Sequence, residues 1–283
     1  MNKTSTWKLY AHLAGFFLCF AIGGAISAIP RMIVGFEKES SIIVFFSEMA
    51  RIFITIAFLV LYAKHVLKKP EINSKLLRIR VPKPILWLLI GLLLPCLLIF
   101  SLVKMRFLNV NSINFELPLS SIFSGLLISV SIAVASGILE ELTFRGYIME
   151  TFKLKYGFWL SGIIPSTLFA IIHLGGAGSV LNAVQVLTGG ILVSVLFLSI
   201  YKVTRSIWNL CIVHACWNFV ILNKLIHIGG DTMSISDRLI TFQPIDNILL
   251  SGGDFGIEVS LNAFLIYTIT AFTIMFFYYK KKK

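Results

Sequence analysis

A chain of 283 residues that is 57% hydrophobic and only 13% charged, with a mean hydropathy of +0.89, is too apolar for a soluble domain of its size. Its net charge of +12 would suit a nucleic-acid binder, but seven of the 25 Lys and Arg fall in 64–83 and four close the chain at 280–283. That clustering excludes a nucleic-acid patch as the simplest account and predicts an all-α, polytopic membrane protein whose first partner is the lipid bilayer.

Apolar runs of roughly 18 residues or more are read as membrane spans. Eight occur in chain order: 9–29, 41–63, 84–103, 119–149, 158–174, 179–201, 206–223 and 261–279. The first, behind Lys3 and Lys8 and ending near AISA, has the outline of a signal peptide, but its apolar run is longer than a signal core, so a retained helix is expected. Eight spans put both termini on one side. The segments of that side (1–8, 64–83, 145–155, 202–205 and the tail) hold 18 basic residues against 6 in the opposite loops, with Arg51 inside a span. The positive-inside rule then makes both termini cytoplasmic. The terminal lysines would also fit a KKxx retrieval signal, but a basic tail after a last span is ordinary topology. The long loop 224–260, with Asp231, Asp237, Asp246, Asp254 and Glu258, falls outside. Three regions are expected: spans 1–3 (1–118), a core of spans 4–7 (119–223), and the outer loop with the last span (224–283). Cys19, Cys96, Cys211 and Cys216 lie in spans without CxxC or metal-finger spacing and read as small apolar residues.

Polar groups inside spans carry the functional information, because a charge at bilayer depth costs roughly 2.5–3.5 kcal/mol even on lenient scales. Glu48 and Arg51, three apart, read first as a structural ion pair. Asn182 and Gln185, also three apart, read as glue between helices or as the lining of a wet cavity. Three i,i+4 pairs remain: Glu141 and Arg145 in EELTFR, Phe169 and His173 in FAIIH, His214 and Asn218 in HACWN. Each pair presents two side chains on one helical face. The fourth span need not stop at Leu139, since LTFRGYIMETF continues helix-compatible to about Leu154, with the turn near Gly157. Glu140 and His173 then stand about 16 residues either side of the turn and therefore at one height, and His214 is roughly 13 Å in from Arg205 at a rise of about 1.5 Å per residue. The carboxylate and both imidazoles can converge, in a cavity expected to open toward the cytoplasm.

A Glu and two His at one level admit three chemistries. Glu140 can act as general base toward a water held by His173, with His214 and Asn218 donating to an oxyanion. Glu140, His173 and His214 can instead bind zinc with an open position. The groups can also form a proton or ion pathway. HExxH and GxSG are absent, the nearest run to the latter being WLSG at 159–162, and GGD at 252–254 lies in a loop. The halves show no symmetry of the kind transporters carry.

EELTFR (140–145), FAIIH (169–173) and HACWN (214–218) resemble the EExxxR, FxxxH and HxxxN motifs of the CAAX-processing and bacteriocin-processing family of intramembrane glutamate proteases, which includes the type II CAAX prenyl endopeptidases. The resemblance covers about 119–223, including TGGILVSVLFLSIYKVTRSIWNLCIVHACWNFV (188–220). It implies that Glu140 and His173 activate water without a metal or other cofactor, that His214 and Asn218 stabilise the oxyanion, and that Glu141 and Arg145 orient the helix and the first Glu. Phe169 completes the second motif. It also implies a peptide, lipidated or membrane-anchored protein as substrate. The Ile-, Phe- and Lys-rich, Pro-poor composition points to a low-GC bacterium and its cytoplasmic membrane, where relatives are associated with peptide maturation and bacteriocin self-immunity. A non-proteolytic scaffold or immunity protein is the competing class.

Overall fold

The structure, a computed structural model, describes residues 5–35, 40–229 and 238–282, so Asp231 and Asp237 lie outside the described residues. In chain order the first helices are α1 (Thr6–Val34), α2 (Ser41–Leu61, prolonged by a π turn over Tyr62–Val66), α3 (Glu71–Leu77) and α4 (Pro84–Lys104). Strand β1 (Leu108–Ile113) leads to α5 (Leu119–Glu140), which runs without a break through a π turn (Glu141–Ile148) into α6 (Met149–Phe152). Then come α7 (Phe158–Ile172), α8 (Val180–Thr204), α9 (Ile207–Ile221), β2 (Ile226–Ile228), β3 (Ile240–Pro244), α10 (Ile248–Ser251) and α11 (Leu261–Lys280). Serine starts four of these helices: Ser40, Ser179, Ser206 and Ser260 each accept from a backbone N–H three residues on, satisfying a donor the helix leaves orphaned. Pro84 opens α4, where its missing N–H costs nothing.

Among the described residues, seven helical segments are long and apolar enough to cross a membrane, which makes this a polytopic all-α membrane protein. The eighth expected span, 206–223, is α9, a helix of 15 residues and too short to be counted with the seven. It nonetheless joins opposite ends of the bundle. Its first turn is fastened to the basic loop, with Trp208 Nε1 donating to the Leu76 carbonyl at 3.0 Å and Asn209 Nδ2 to that of Pro82 at 3.2 Å. Its far end leads into β2. A helix enclosed by α4, α5 and α8 meets protein rather than lipid, so bilayer thickness does not set its length. Thr6 meets Lys155 and Tyr278 bonds Arg205, which puts both ends of the described chain at the basic end.

The opposite end departs from the expected plain loops. β1 and β3 pair antiparallel and β2 joins β3 in parallel, a three-stranded sheet built from the two long connections. Such pairing joins residues more than a hundred positions apart, which no local pattern announces. The following segment, 248–259, turns inward instead of remaining outside. Asn182 Nδ2 donates to the Gly252 carbonyl at 2.7 Å and Asn182 Oδ1 accepts from the Phe255 N–H at 3.2 Å. Gln185 Nε2 donates to the carbonyls of Ile248 and Val259 at 3.0 and 2.9 Å. The two polar residues of span 6 thus glue a loop, not a neighbouring helix. Glu48 meets both Arg51 (3.0 Å) and Arg31 of α1 (3.4 Å), in keeping with a structural pair, and all four cysteines are free thiols.

Two glycines set how closely α9 is held. A Cβ on Gly137 of α5 would lie 2.7 Å from the backbone nitrogen of Ala215, and one on Gly91 of α4 would lie 2.9 Å from the Val213 Cα. Both contacts flank His214 in sequence, so these approaches decide whether α5 can bring its carboxylates to that ring. Gly137→Ala is expected to force α5 off α9 at a cost of about 1–3 kcal/mol of overpacking. Its unfolding midpoint in detergent should fall, while Gly24→Ala, a site with nothing within 4 Å, should leave it unchanged.

Candidate active site

The site begins where α5 changes pitch. The π turn starts at Glu141, immediately after Glu140, and spans the whole ELTFRGYI stretch. π turns cluster at functional sites because the wider i→i+5 winding re-aims side chains. Here the smaller angular step between successive residues lets two adjacent carboxylates reach one imidazole. Glu141 Oε1 lies 2.8 Å from His214 Nδ1, and Glu140 Oε2 lies 3.6 Å from His214 Nε2.

Glu141 is fully buried and accepts from Arg145 Nη1 at 2.9 Å, the i,i+4 pair expected from the sequence. An ion-paired carboxylate can only accept, so His214 Nδ1 carries a proton and its Nε2 is turned toward Glu140. The Phe197 ring packs on both partners of Glu141: it stacks on the His214 ring at 5.3 Å between centroids, and the Arg145 guanidinium lies 5.3 Å from its centre. The expectation that Glu141 supports Glu140 is thus refined, because the contacts of Glu141 go to His214 and Arg145. Glu140 keeps 19% of its side chain exposed, whereas Glu141 keeps none.

His173 caps the C-terminal end of α7, with its Nδ1 2.9 Å from the Phe169 carbonyl, which leaves Nε2 free. Phe169 packs on Phe144 and on the His173 ring, centroids 4.4 and 4.3 Å apart, and so ties the second motif to the first. Asn218, one turn beyond His214, donates from Nδ2 to Ser136 Oγ at 2.8 Å, with a second amide hydrogen still to place. Glu140, Arg145, Phe169, His173, His214 and Asn218 all line one cavity of about 370 Å³. Among the described residues no three His, Cys, Asp or Glu side chains are grouped so that they could hold a metal ion.

Two features were not legible from the spans. At the basic end α3 packs on the π turn: Leu76 lies against Gly146, and the Tyr147 hydroxyl donates to Asn73 Oδ1 at 2.9 Å. At the other end the cavity shares Leu222, Phe255 and Glu258 with a second one of about 410 Å³ beside the sheet. Glu258, assigned by sequence to an outer loop, is therefore part of the cavity wall. Trp217 Nε1 donates to its Oε1 at 2.5 Å and the Tyr267 hydroxyl to its backbone carbonyl at 3.1 Å. Burial raises the Glu258 carboxyl above its ordinary value, while the Trp217 hydrogen bond and the nearby His214 pull the other way. The sequence signal was slight: an acid two residues before the cap of the last span.

Fold and cavity together define a polytopic helical membrane protein with carboxylates and imidazoles gathered at depth. Residues 122–220 match the family model described as Type II CAAX prenyl endopeptidase Rce1-like, the family that the three motifs resemble. That match indicates a CAAX protease-like peptidase and contains all three motifs, from Glu140 to Asn218, but not Glu258. No curated protein and no solved structure matches the chain.

The two glutamates should separate in experiment. Glu141→Gln leaves a buried Arg145 without its counter-charge, and removing one partner of such a pair costs about 3–5 kcal/mol. Its unfolding midpoint should drop sharply, whereas Glu140→Gln, at a partly open position, should change stability by less than about 1 kcal/mol.

Proposed function

We propose that the chain is a metal-independent intramembrane endopeptidase that cuts a peptide or membrane-anchored protein with water activated by Glu140 and His173. The observation that carries this reading is the joint lining of one cavity by Glu140, His173, His214 and Asn218, with His214 held by the buried Glu141–Arg145 pair. Glu140 takes a proton from a water that His173 positions, and the resulting hydroxide attacks the scissile carbonyl. His214, with a proton on each ring nitrogen in this state, gives Nδ1–H to Glu141 and Nε2–H to the oxyanion so formed, and the second amide hydrogen of Asn218 donates alongside it. Glu140 then returns its proton to the departing amine, and the peptide bond breaks. Glu141 and Arg145 position His214 without touching the reacting atoms. Because the basic segments gather at one end of the bundle, the charge rule favours that end as the cytoplasmic one, and the Ile-, Phe- and Lys-rich, Pro-poor composition favours a bacterial cytoplasmic membrane.

Purified protein in mild detergent should cleave members of a panel of quenched fluorescent peptides, prenylated and plain. Glu140→Gln and His173→Ala are each expected to slow cleavage by about 10²–10⁴-fold, and Asn218→Ala by about 10²–10³-fold. A strong chelator should have no effect. Loss of cleavage on chelation with recovery on adding zinc would transfer the reaction to a metalloenzyme. A cellular phenotype unchanged by Glu140→Gln would favour a scaffold.

A further inference from the structure

Glu258 does more than a hydrogen-bond acceptor for Trp217 requires. A buried indole N–H is satisfied by any neutral carbonyl, and a carboxylate in that place carries a desolvation cost that an amide would avoid. Yet the position is firmly built. The Tyr267 hydroxyl holds its backbone, and Asn182 and Gln185 anchor the turn on either side. Only Oε1 is engaged; Oε2 has no protein hydrogen-bond partner among the described residues, and the residue lines the cavity.

The electrical surroundings narrow what could meet that oxygen. The fixed cation of the cavity, Arg145, is already neutralised by Glu141. Apart from the Trp217 hydrogen bond, Glu258 is felt most by His214, Glu140 and His173, all on the inner cavity side. Lys224 and Arg238, which line the second cavity, would repel a cation approaching from there. Between Glu140 and Glu258 the wall is largely apolar, with Leu94, Val186, Val213, Leu222 and Val259. A ligand that suits this space has apolar side chains and one positive charge at the Glu258 end.

We propose that Glu258 forms a subsite for a lysine or arginine side chain of a peptide whose neighbouring residues are apolar. This rests on the reading of the cavity as a peptide site, and it deepens that reading by naming a substrate feature. The cation would complete the carboxylate that the fold leaves half-satisfied, with Trp217 holding Oε1 and aiming Oε2 inward. Because the residue comes from the loop before α11, outside the matched segment, the preference would belong to this chain rather than to the shared core.

Binding tests the subsite without depending on turnover. The full chain bearing Glu140→Gln is titrated in detergent with short, N-acetylated and C-amidated apolar peptides that carry lysine or norleucine at each position in turn. At one position lysine should bind about tenfold more tightly than norleucine, the scale of a charge-assisted hydrogen bond. Adding Glu258→Gln, which still accepts from Trp217, should bring the ratio to about one, whereas Glu258→Asp should retain part of it. Norleucine peptides that still bind show that the cavity is intact in each variant. Lysine without advantage at every position, a preference that survives Glu258→Gln, or no peptide binding at all would each overturn the subsite. Peptides that bind with the lysine preference but are never cut by the wild type would instead overturn the peptidase reading and leave the subsite standing.

Discussion

The site hangs on one carboxylate. Glu141 is buried with no exposed surface and accepts from both Arg145 and His214 through the same oxygen. A charge in that position is tolerable only when its lost hydration is replaced by fixed donors, and removing either donor leaves the deficit uncovered. Glu141 therefore needs α9 at contact distance, and α9 reaches it because Gly137 leaves room for the Ala215 backbone. The π turn supplies the remaining degree of freedom by aiming Glu140 and Glu141 at opposite nitrogens of one ring. Helix pitch, a missing side chain and an ion pair form one interdependent arrangement.

That arrangement gives two neighbouring glutamates different duties. Glu141 has no exposed surface and is paired with Arg145 and His214. Glu140, partly open and 3.6 Å from His214 Nε2, is the one left facing the cavity. The division follows from burial, since a carboxylate with no exposed surface is out of reach of a cavity water, and one on the wall is within reach. His173 and Asn218 show the same economy. Each has one polar atom tied down, to Phe169 or Ser136, which fixes orientation and leaves another atom for the cavity.

The far wall is supplied by a part of the chain with no motif. The turn 248–259 is drawn inward by Asn182 and Gln185 and places Phe255 and Glu258 against the core. In a membrane bundle, irregular backbone at depth persists where protein groups satisfy its carbonyls and amides, and these two side chains serve that purpose. The matched segment thus lines the cavity with all three motifs, and the loop before α11 adds charge and shape.

The spans, the i,i+4 pairs and the continuation of span 4 past Glu140 were legible from residues alone. Apolar length and helical spacing are local properties, and charge placement reports the sidedness of the chain. The three motifs also pointed to Glu140, His173 and His214 at one height, because equal residue counts from a hairpin turn give equal height, and all three line one cavity. What remained hidden were properties of packing. That α9 is a short helix at the centre of the bundle, that β1 pairs with β3 across more than a hundred residues, and that α3 packs on the π turn all depend on which surfaces find each other. Glu258 is the clearest case. In the sequence it is one more acid in an outer loop, and only the tertiary contacts of Asn182, Trp217 and Tyr267 turn it into the cavity, because burial is decided by neighbours that no local pattern contains.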